Sequence, residues 1–201
     1  MGSVAVLASG TGSNLQALLD HPRVGPAVRL VISDRAEAKA LDRARSAGVE
    51  AVHLDPASFE SREAHDEALT ALLRDRGVDV VCLAGYMRLL SPVVVRAYWG
   101  RMLNVHPSLL PAFPGARAVR DALEWGAKVT GCTTHLVDEE VDHGPIVAQE
   151  TVPILEDDDE ASLHARIQEV EHSLYPAAVA MLLEGRVRLR GRRVVVDGET
   201  E

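Results

Sequence analysis

The first half of the chain alternates short apolar runs with segments of helical periodicity. Residues 4–8 form an apolar run that stops at Gly10-Thr11-Gly12-Ser13-Asn14. Leu15, Leu18 and Leu19 then fall at helical spacing, which predicts a helix over 14–20 that Pro22 closes. Residues 28–32 read as a second buried strand, and the Ala-rich stretch 36–47 as a helix that Gly48 can cap. A third strand near 51–54 precedes a helix over 58–76 with Ala64, Ala68, Leu69, Leu72 and Leu73 facing inward. Residues 78–84 are the most apolar run and belong at the centre of a sheet. Ser91 and Pro92 supply an N-cap and a first-turn proline for a short helix to Tyr98, and 102–105 form a fifth strand. This alternation predicts an α/β fold: a Rossmann-like three-layer αβα arrangement with a mostly parallel central sheet and right-handed crossovers.

After residue 105 the pattern changes. Pro107, Pro111 and Pro114 keep the next segment non-helical, and two runs, 130–137 and 146–153, read as later antiparallel strands. They flank a tight loop, Val141-Asp142-His143-Gly144-Pro145. A long helix is expected over 159–184, behind an acidic run at 156–160 that favours its N-terminus and is solvated. Residues 186–196, with Gly191 in the middle, predict a terminal hairpin. No repeat or linker interrupts the 201 residues, so a single domain is expected over 1–201.

Composition narrows the function classes. With 47% apolar and 25% charged residues the chain can bury a full core, and disorder is not favoured. A net charge of −9 without a long basic run argues against nucleic-acid binding, though not against a small anionic ligand. Cys82 and Cys132 sit in apolar stretches without metal-ligand spacing and read as buried thiols of a reducing compartment. Val6 breaks the myristoylation pattern that Met1-Gly2 suggests, and no apolar run approaches the ~20 residues of a membrane span. A cytoplasmic protein without metal or membrane attachment is the expectation.

The Gly-rich turn can present helix-start N–H groups to a phosphate. Asp34 stands where a dinucleotide fold would place a ribose-binding acid, but Leu15 replaces that fold's third glycine. Ser13 and Asn14 add donors suited to a monophosphate, and the Gly-Lys-Ser/Thr of a P-loop is missing. The turn alone is compatible with phosphate binding or with a structural role.

Asn104 and His106 lie two apart at the C-terminal end of a parallel strand, so their side chains share a side at the edge where open α/β sheets bind ligands. Asp142 adds a carboxylate. An amide donor, an imidazole and a carboxylate are the oxyanion stabiliser, proton carrier and charge partner that formyl transfer needs.

Five motifs carry a resemblance: Ser9-Gly10-Thr11-Gly12-Ser13-Asn14-Leu15-Gln16, Leu83-Ala84-Gly85-Tyr86-Met87-Arg88-Leu89-Leu90-Ser91-Pro92, residues 103–111, Gly144-Pro145, and Glu171-His172-Ser173-Leu174-Tyr175-Pro176. Over 4–176 the chain resembles the folate-dependent glycinamide ribonucleotide formyltransferases of purine biosynthesis. The resemblance implies transfer of a formyl group from 10-formyltetrahydrofolate, a co-substrate rather than a tightly bound cofactor, to the glycine amine of 5-phosphoribosylglycinamide. By position, Gly12, Ser13 and Asn14 hold the substrate phosphate, and Gln168 and Glu171 its ribose and glycinamide portion. Arg62 meets the folate glutamate tail. Met87, Arg88, Leu89 and Leu90, with Asn104 and the backbone of Glu139, Glu140, Val141 and Asp142, surround the folate. The implied chemistry is direct attack through a tetrahedral oxyanion, with Asn104 and protonated His106 as donors. Asp142 strengthens the proton's hold on His106 and helps relay a proton through water. Residues 1–100 become the phosphate-binding half and 101–201 the catalytic and folate-binding half of a monomer or homodimer.

Two positions depart from the family pattern. Arg117 replaces a frequent histidine and reads either as a phosphate partner or as a solvated loop residue. His143 replaces a small residue or threonine and reads as structural or exposed. His135 is expected in the core, and His172 points away from Glu171 on its helix. Two neighbouring activities compete: 10-formyltetrahydrofolate deformylase, disfavoured without an N-terminal regulatory domain, and methionyl-tRNA formyltransferase, disfavoured by acidity and the lack of an RNA-binding domain. A non-catalytic nucleotide-binding Rossmann-like protein would explain the Gly-rich turn but not Asn104, His106 and Asp142.

Overall fold

The computed structural model describes residues 2–198, which divide into two compact units at Leu103 and Asn104. The first unit contains β1 (Val4–Leu7), α1 (Ser13–Asp20), β2 (Val28–Ser33), α2 (Lys39–Ser46), β3 (Glu50–His53), α3 (Arg62–Asp75), β4 (Val80–Leu83), α4 (Pro92–Ala97) and the start of β5 (Met102–His106). Its strands run in the order β3-β2-β1-β4-β5. β1 pairs in parallel with both β2 and β4, and every residue of β1 and β4 is buried, as expected of central strands. The strand order reverses between β1 and β4, so the turn after β1 and the segment after β4 emerge together at the strands' C-terminal ends.

Two expected helices start later than their periodicity suggested. Residues 35–38 close a turn, Ala38 N–H to Arg35 O at 3.3 Å, and α2 begins only at Lys39. Pro56 opens a separate short turn over Pro56–Ser58, leaving Ser61 to cap α3 by accepting the Ala64 N–H at 3.0 Å. The inward face of α3 also differs. Leu69 and Leu73 are buried as expected, but Ala64, Ala68 and Leu72 are half-buried while His65, Asp66 and Thr70 are buried. Polar groups can take those places because each has a partner. The Asp66 carboxylate accepts the Ser91 N–H at 2.5 Å and meets His65 Nδ1 at 3.0 Å, and Thr70 donates to Asp66 O at 2.7 Å.

The second unit holds the end of β5, α5 (Ala118–Glu124), β6 (Val129–Leu136), β7 (Ile146–Pro153), α6 (Glu160–Leu183), β8 (Val187–Arg190) and β9 (Arg193–Val196). Here the order is β5-β6-β7, β6 and β7 are antiparallel, and β8 pairs with β9 as a separate hairpin. The α/β class with parallel strands first and antiparallel strands later is the one expected. The sequence reading missed α5, because Pro111 and Pro114 mask a helix that starts just beyond them. The acidic run before α6 is more than a solvated charge. Asp159 accepts the Ser162 N–H at 2.8 Å in a reciprocal capping box, and Asp158 grips Arg166 through two bonds of 2.7 and 2.8 Å. Cys82 and Cys132 are buried and form no disulfide with each other, and no helix among the described residues is long and apolar enough to cross a membrane.

Candidate active site

Asn104 and His106 leave the end of β5 on one side, and the β6–β7 loop brings Asp142 to them. Asp142 Oδ2 lies 3.4 Å from His106 Nδ1, and Asp142 Oδ1 lies 3.4 Å from Asn104 Nδ2. Oδ2 also accepts the Gly115 N–H at 2.7 Å. The three expected residues are therefore in direct contact. His106 Nε2 donates to the Phe113 carbonyl at 2.8 Å, so both ring nitrogens face acceptors, an arrangement that suits an imidazolium.

A fourth residue completes the cluster. His135, expected only as core, is buried in β6, but its Nε2 lies 3.1 Å from Asn104 Nδ2 and 3.7 Å from Asp142 Oδ1. Its Nδ1 faces the Leu136 carbonyl at 3.0 Å and must carry a proton, which leaves Nε2 as an acceptor. Asn104 consequently turns its amide nitrogen, not its oxygen, towards this site. His135 lies two residues after Thr133 in β6, and Thr133 Oγ1 bonds the Ser108 carbonyl at 2.6 Å, just past His106.

Electrostatics keep Asp142 ionised although its side chain is only 11% exposed. Burial pushes its carboxyl up, but the Gly115 N–H and the charge of His106 pull it below the ordinary value. Its backbone is also constrained, with φ at +50°, a conformation costing about 1–3 kcal/mol for a residue other than glycine. Gly144 makes the loop possible, because a Cβ there would stand 1.7 Å from the Leu136 carbonyl oxygen.

In the first unit, Gly12 has φ +73° and packs so closely that a Cβ would meet Ala40 Cα at 2.9 Å. Gly10 O accepts the Ala40 N–H and Thr11 O accepts Arg43 Nε–H at 2.8 Å, fixing the turn. No side chain caps the start of α1 at Ser13 and Asn14, which suits an anion there. Ser9 joins this turn to the segment after β4: its N–H donates to Gly85 O at 3.1 Å and its Oγ accepts the Met87 N–H at 2.9 Å. Held there and at Ser91, the segment displays Met87 and Leu89 at 62% and 59% exposure, with Arg88 and Leu90 half-buried. Displayed apolar side chains on an anchored segment suit an aromatic ligand. Arg62 is paired with Glu63 at 3.2 Å.

Elsewhere in the second unit, Glu139, Glu140 and Val141 are exposed along the Asp142 loop. Gln168 is half-buried on α6, whereas Glu171 is 4% exposed. Arg117 is exposed and pairs with Asp121 and Glu124 at 3.3 and 3.4 Å. His143 bonds Asp138 at 2.7 Å. His172 is half-buried. Among the described residues no group of three or more His, Cys, Asp or Glu side chains is placed to hold a metal ion.

An α/β chain that gathers an amide, two imidazoles and an ionised carboxylate at one strand end has the equipment of an acyl-group transferase. Residues 3–179 match the formyl transferase family, and the chain belongs to that family. It is 42% identical to phosphoribosylglycinamide formyltransferase of Escherichia coli, covering 98% of this chain and 94% of that one. The Mycobacterium tuberculosis protein of the same name is 46% identical, with 96% and 93% covered. The chain is also 50% identical to the trifunctional purine biosynthetic protein adenosine-3 of Drosophila melanogaster, covering 90% of itself but spanning only 14% of that longer protein. In fold it is similar to the crystal structure of glycinamide ribonucleotide transformylase 1 from Symbiobacterium toebii, with a TM-score of 0.95, 53% identity, and 98% and 94% of the two chains covered.

Proposed function

We propose that the protein transfers the formyl group of 10-formyltetrahydrofolate to the glycine amine of 5-phosphoribosylglycinamide, in the cytoplasm and as a step of purine biosynthesis. The contact set Asn104–His106–Asp142, in a chain of this family, carries the reading. The neutral amine attacks the formyl carbon, a C–N bond forms, and the carbonyl oxygen becomes an oxyanion. Collapse breaks the bond to N10, and the proton lost by the amine reaches N10 through water beside His106 and Asp142.

The hydrogen bonds of the site favour particular donors. The Asn104 N–H that points at Asp142 Oδ1 is held at 3.4 Å, more loosely than the 3.1 Å bond to His135, so it is the hydrogen given to the oxyanion. His106 exchanges its Nε2–H from the Phe113 carbonyl to the same oxygen. Asp142 faces the ring's Nδ1 at 3.4 Å as its acceptor, and His135 holds the Asn104 amide in register. Gly12, Ser13 and Asn14 bind the substrate phosphate, while Gln168 and Glu171 take its ribose and glycinamide portion. Arg62 takes the folate tail, and Met87, Arg88, Leu89 and Leu90 with the backbone of 139–142 take the pterin. The enzyme works as a monomer or homodimer on these small molecules.

The test is to follow the folate product with and without the ribonucleotide amine. The proposal expects product only when the amine is present. Formate released at the same rate without it would point to the deformylase reaction instead, and no product under either condition would favour a binding protein.

A further inference from the structure

The hairpin of β8 and β9 takes no part in the chemistry described, yet the residue at its turn reaches the loop that carries Asp142. Arg192 Nη2–H donates to the backbone carbonyl of His143, and Nη1–H meets His143 Nε2 at 3.2 Å. His143 Nδ1–H in turn donates to Asp138 Oδ2 at 2.7 Å. This assignment uses both ring nitrogens and the backbone carbonyl of His143 once each: the neutral ring donates through Nδ1 and accepts at Nε2, and the guanidinium fork takes the ring and the carbonyl together.

We infer that Arg192 is a positioning residue for Asp142, acting through His143. Asp142 holds a left-handed backbone conformation, φ +50°, that Asp adopts more readily than most side chains but still at a cost, which its neighbours offset by fixing the loop on both sides. On one side Asp138 Oδ1 accepts the Glu140 N–H at 3.1 Å and starts the turn. On the other, Gly144 is wedged against the Leu136 carbonyl. His143 stands between Asp142 and Gly144, and the peptide that follows it is oriented by Arg192. The hairpin is a firm base for that grip, closed at its foot by Arg186 Nε–H to Asp197 O at 2.8 Å and Asp197 N–H to Arg186 O at 2.9 Å. His143 is 44% exposed, so the restraint trims the freedom of the loop and does not create its fold.

The inference rests on the formyl-transfer reading, and its test separates the two, because wild-type transfer is measured first. Given an active wild type, Arg192→Ala should lower kcat about tenfold, the effect of a small displacement of a catalytic group, with KM for the ribonucleotide within about twofold. His143→Ala keeps the backbone carbonyl that Arg192 holds and loses only the ring contacts, so it should cost less, and the double variant should be no worse than Arg192→Ala alone. Arg192→Lys, with one donor direction in place of a fork, should recover part of the rate. Arg188→Ala breaks a 2.6 Å ion pair to Asp197 in the same hairpin away from the loop and should keep the wild-type kcat. Wild-type kcat in Arg192→Ala overturns the inference. So does an equal loss in Arg188→Ala, which would mean hairpin stability alone, or fully additive losses for Arg192 and His143.

Discussion

Replacing His135 with alanine separates a core role from a role in the reaction. The imidazole is the acceptor that fixes the Asn104 amide at 3.1 Å, and it lies 3.7 Å from Asp142 Oδ1. Its removal strands an N–H of a half-buried side chain that water reaches in part, so the lower end of the usual penalty applies, about 1 kcal/mol. If that misorientation is felt in the transition state, kcat falls about fivefold. A second effect concerns Asp142. Burial raises its carboxyl and the donors around it hold it below its ordinary value; without His135 the Asn104 N–H that faces Oδ1 at 3.4 Å is no longer held there, so the carboxyl moves upward. The sign follows from linkage. A depressed carboxyl contributes stability and charge that are present above its unfolded value and are lost as pH falls through its lower folded value. The variant should therefore lose Asp142-dependent turnover at a higher pH than the wild type on the acid side. The assay is kcat against pH for formyl transfer, with the Asp142 carboxyl followed directly by NMR. His135→Gln, which restores an acceptor but not the ring, should recover much of kcat and bring the acid limb part of the way back. A His135→Ala enzyme with wild-type kcat and an unmoved Asp142 titration would refute the reasoning.

Three further outcomes follow from the packing. Gly144→Ala places a methyl 1.7 Å from the Leu136 carbonyl oxygen, which should cost about 3 kcal/mol or more in a denaturant melt; a loss below 1 kcal/mol would show the loop is loose. Asp66→Asn weakens the bond that anchors Ser91, so KM for the folate should rise several-fold with kcat largely kept, and an unchanged KM would remove this segment from the folate pocket. Arg166, Leu155 N–H and Ser162 hold the Asp158 carboxyl well below the usual range, so its hold on α6 is present above the ordinary carboxylate value and lost only as pH falls through the lowered one. Asp158→Asn should accordingly advance the acid loss of helical circular dichroism to higher pH, and coincident titrations would contradict that.

Most of the architecture was legible because its strands are continuous apolar runs. A run such as Val80–Leu83, buried at every position, has few other fates than a central strand. Helix starts were less legible, since Asp55 and Ser61 both offer caps, and Asp55 closes only a short turn before Ser61 starts α3. Helix α5 was hidden by its proline-rich approach. At the site, Asn104 and His106 were readable from strand alternation at a sheet edge, and Asp142 from its loop. His135 was not, because a buried histidine in a strand looks the same whether its partner is a backbone carbonyl or the side-chain amide of Asn104. The inward polar face of α3 was invisible for a related reason: the Asp66 carboxylate is held by its neighbour His65 and by an N–H at Ser91, 25 residues away. Long-range partners of buried polar groups leave little trace in local pattern.

The most direct test of the central claim is the turnover of Asn104→Ala and His106→Ala measured side by side with saturating substrates. If both groups meet one developing oxyanion, each loss removes on the order of 3–4 kcal/mol of barrier stabilisation and kcat falls about a hundredfold or more. KM for the ribonucleotide should barely change. Near-normal turnover in both variants would contradict the account.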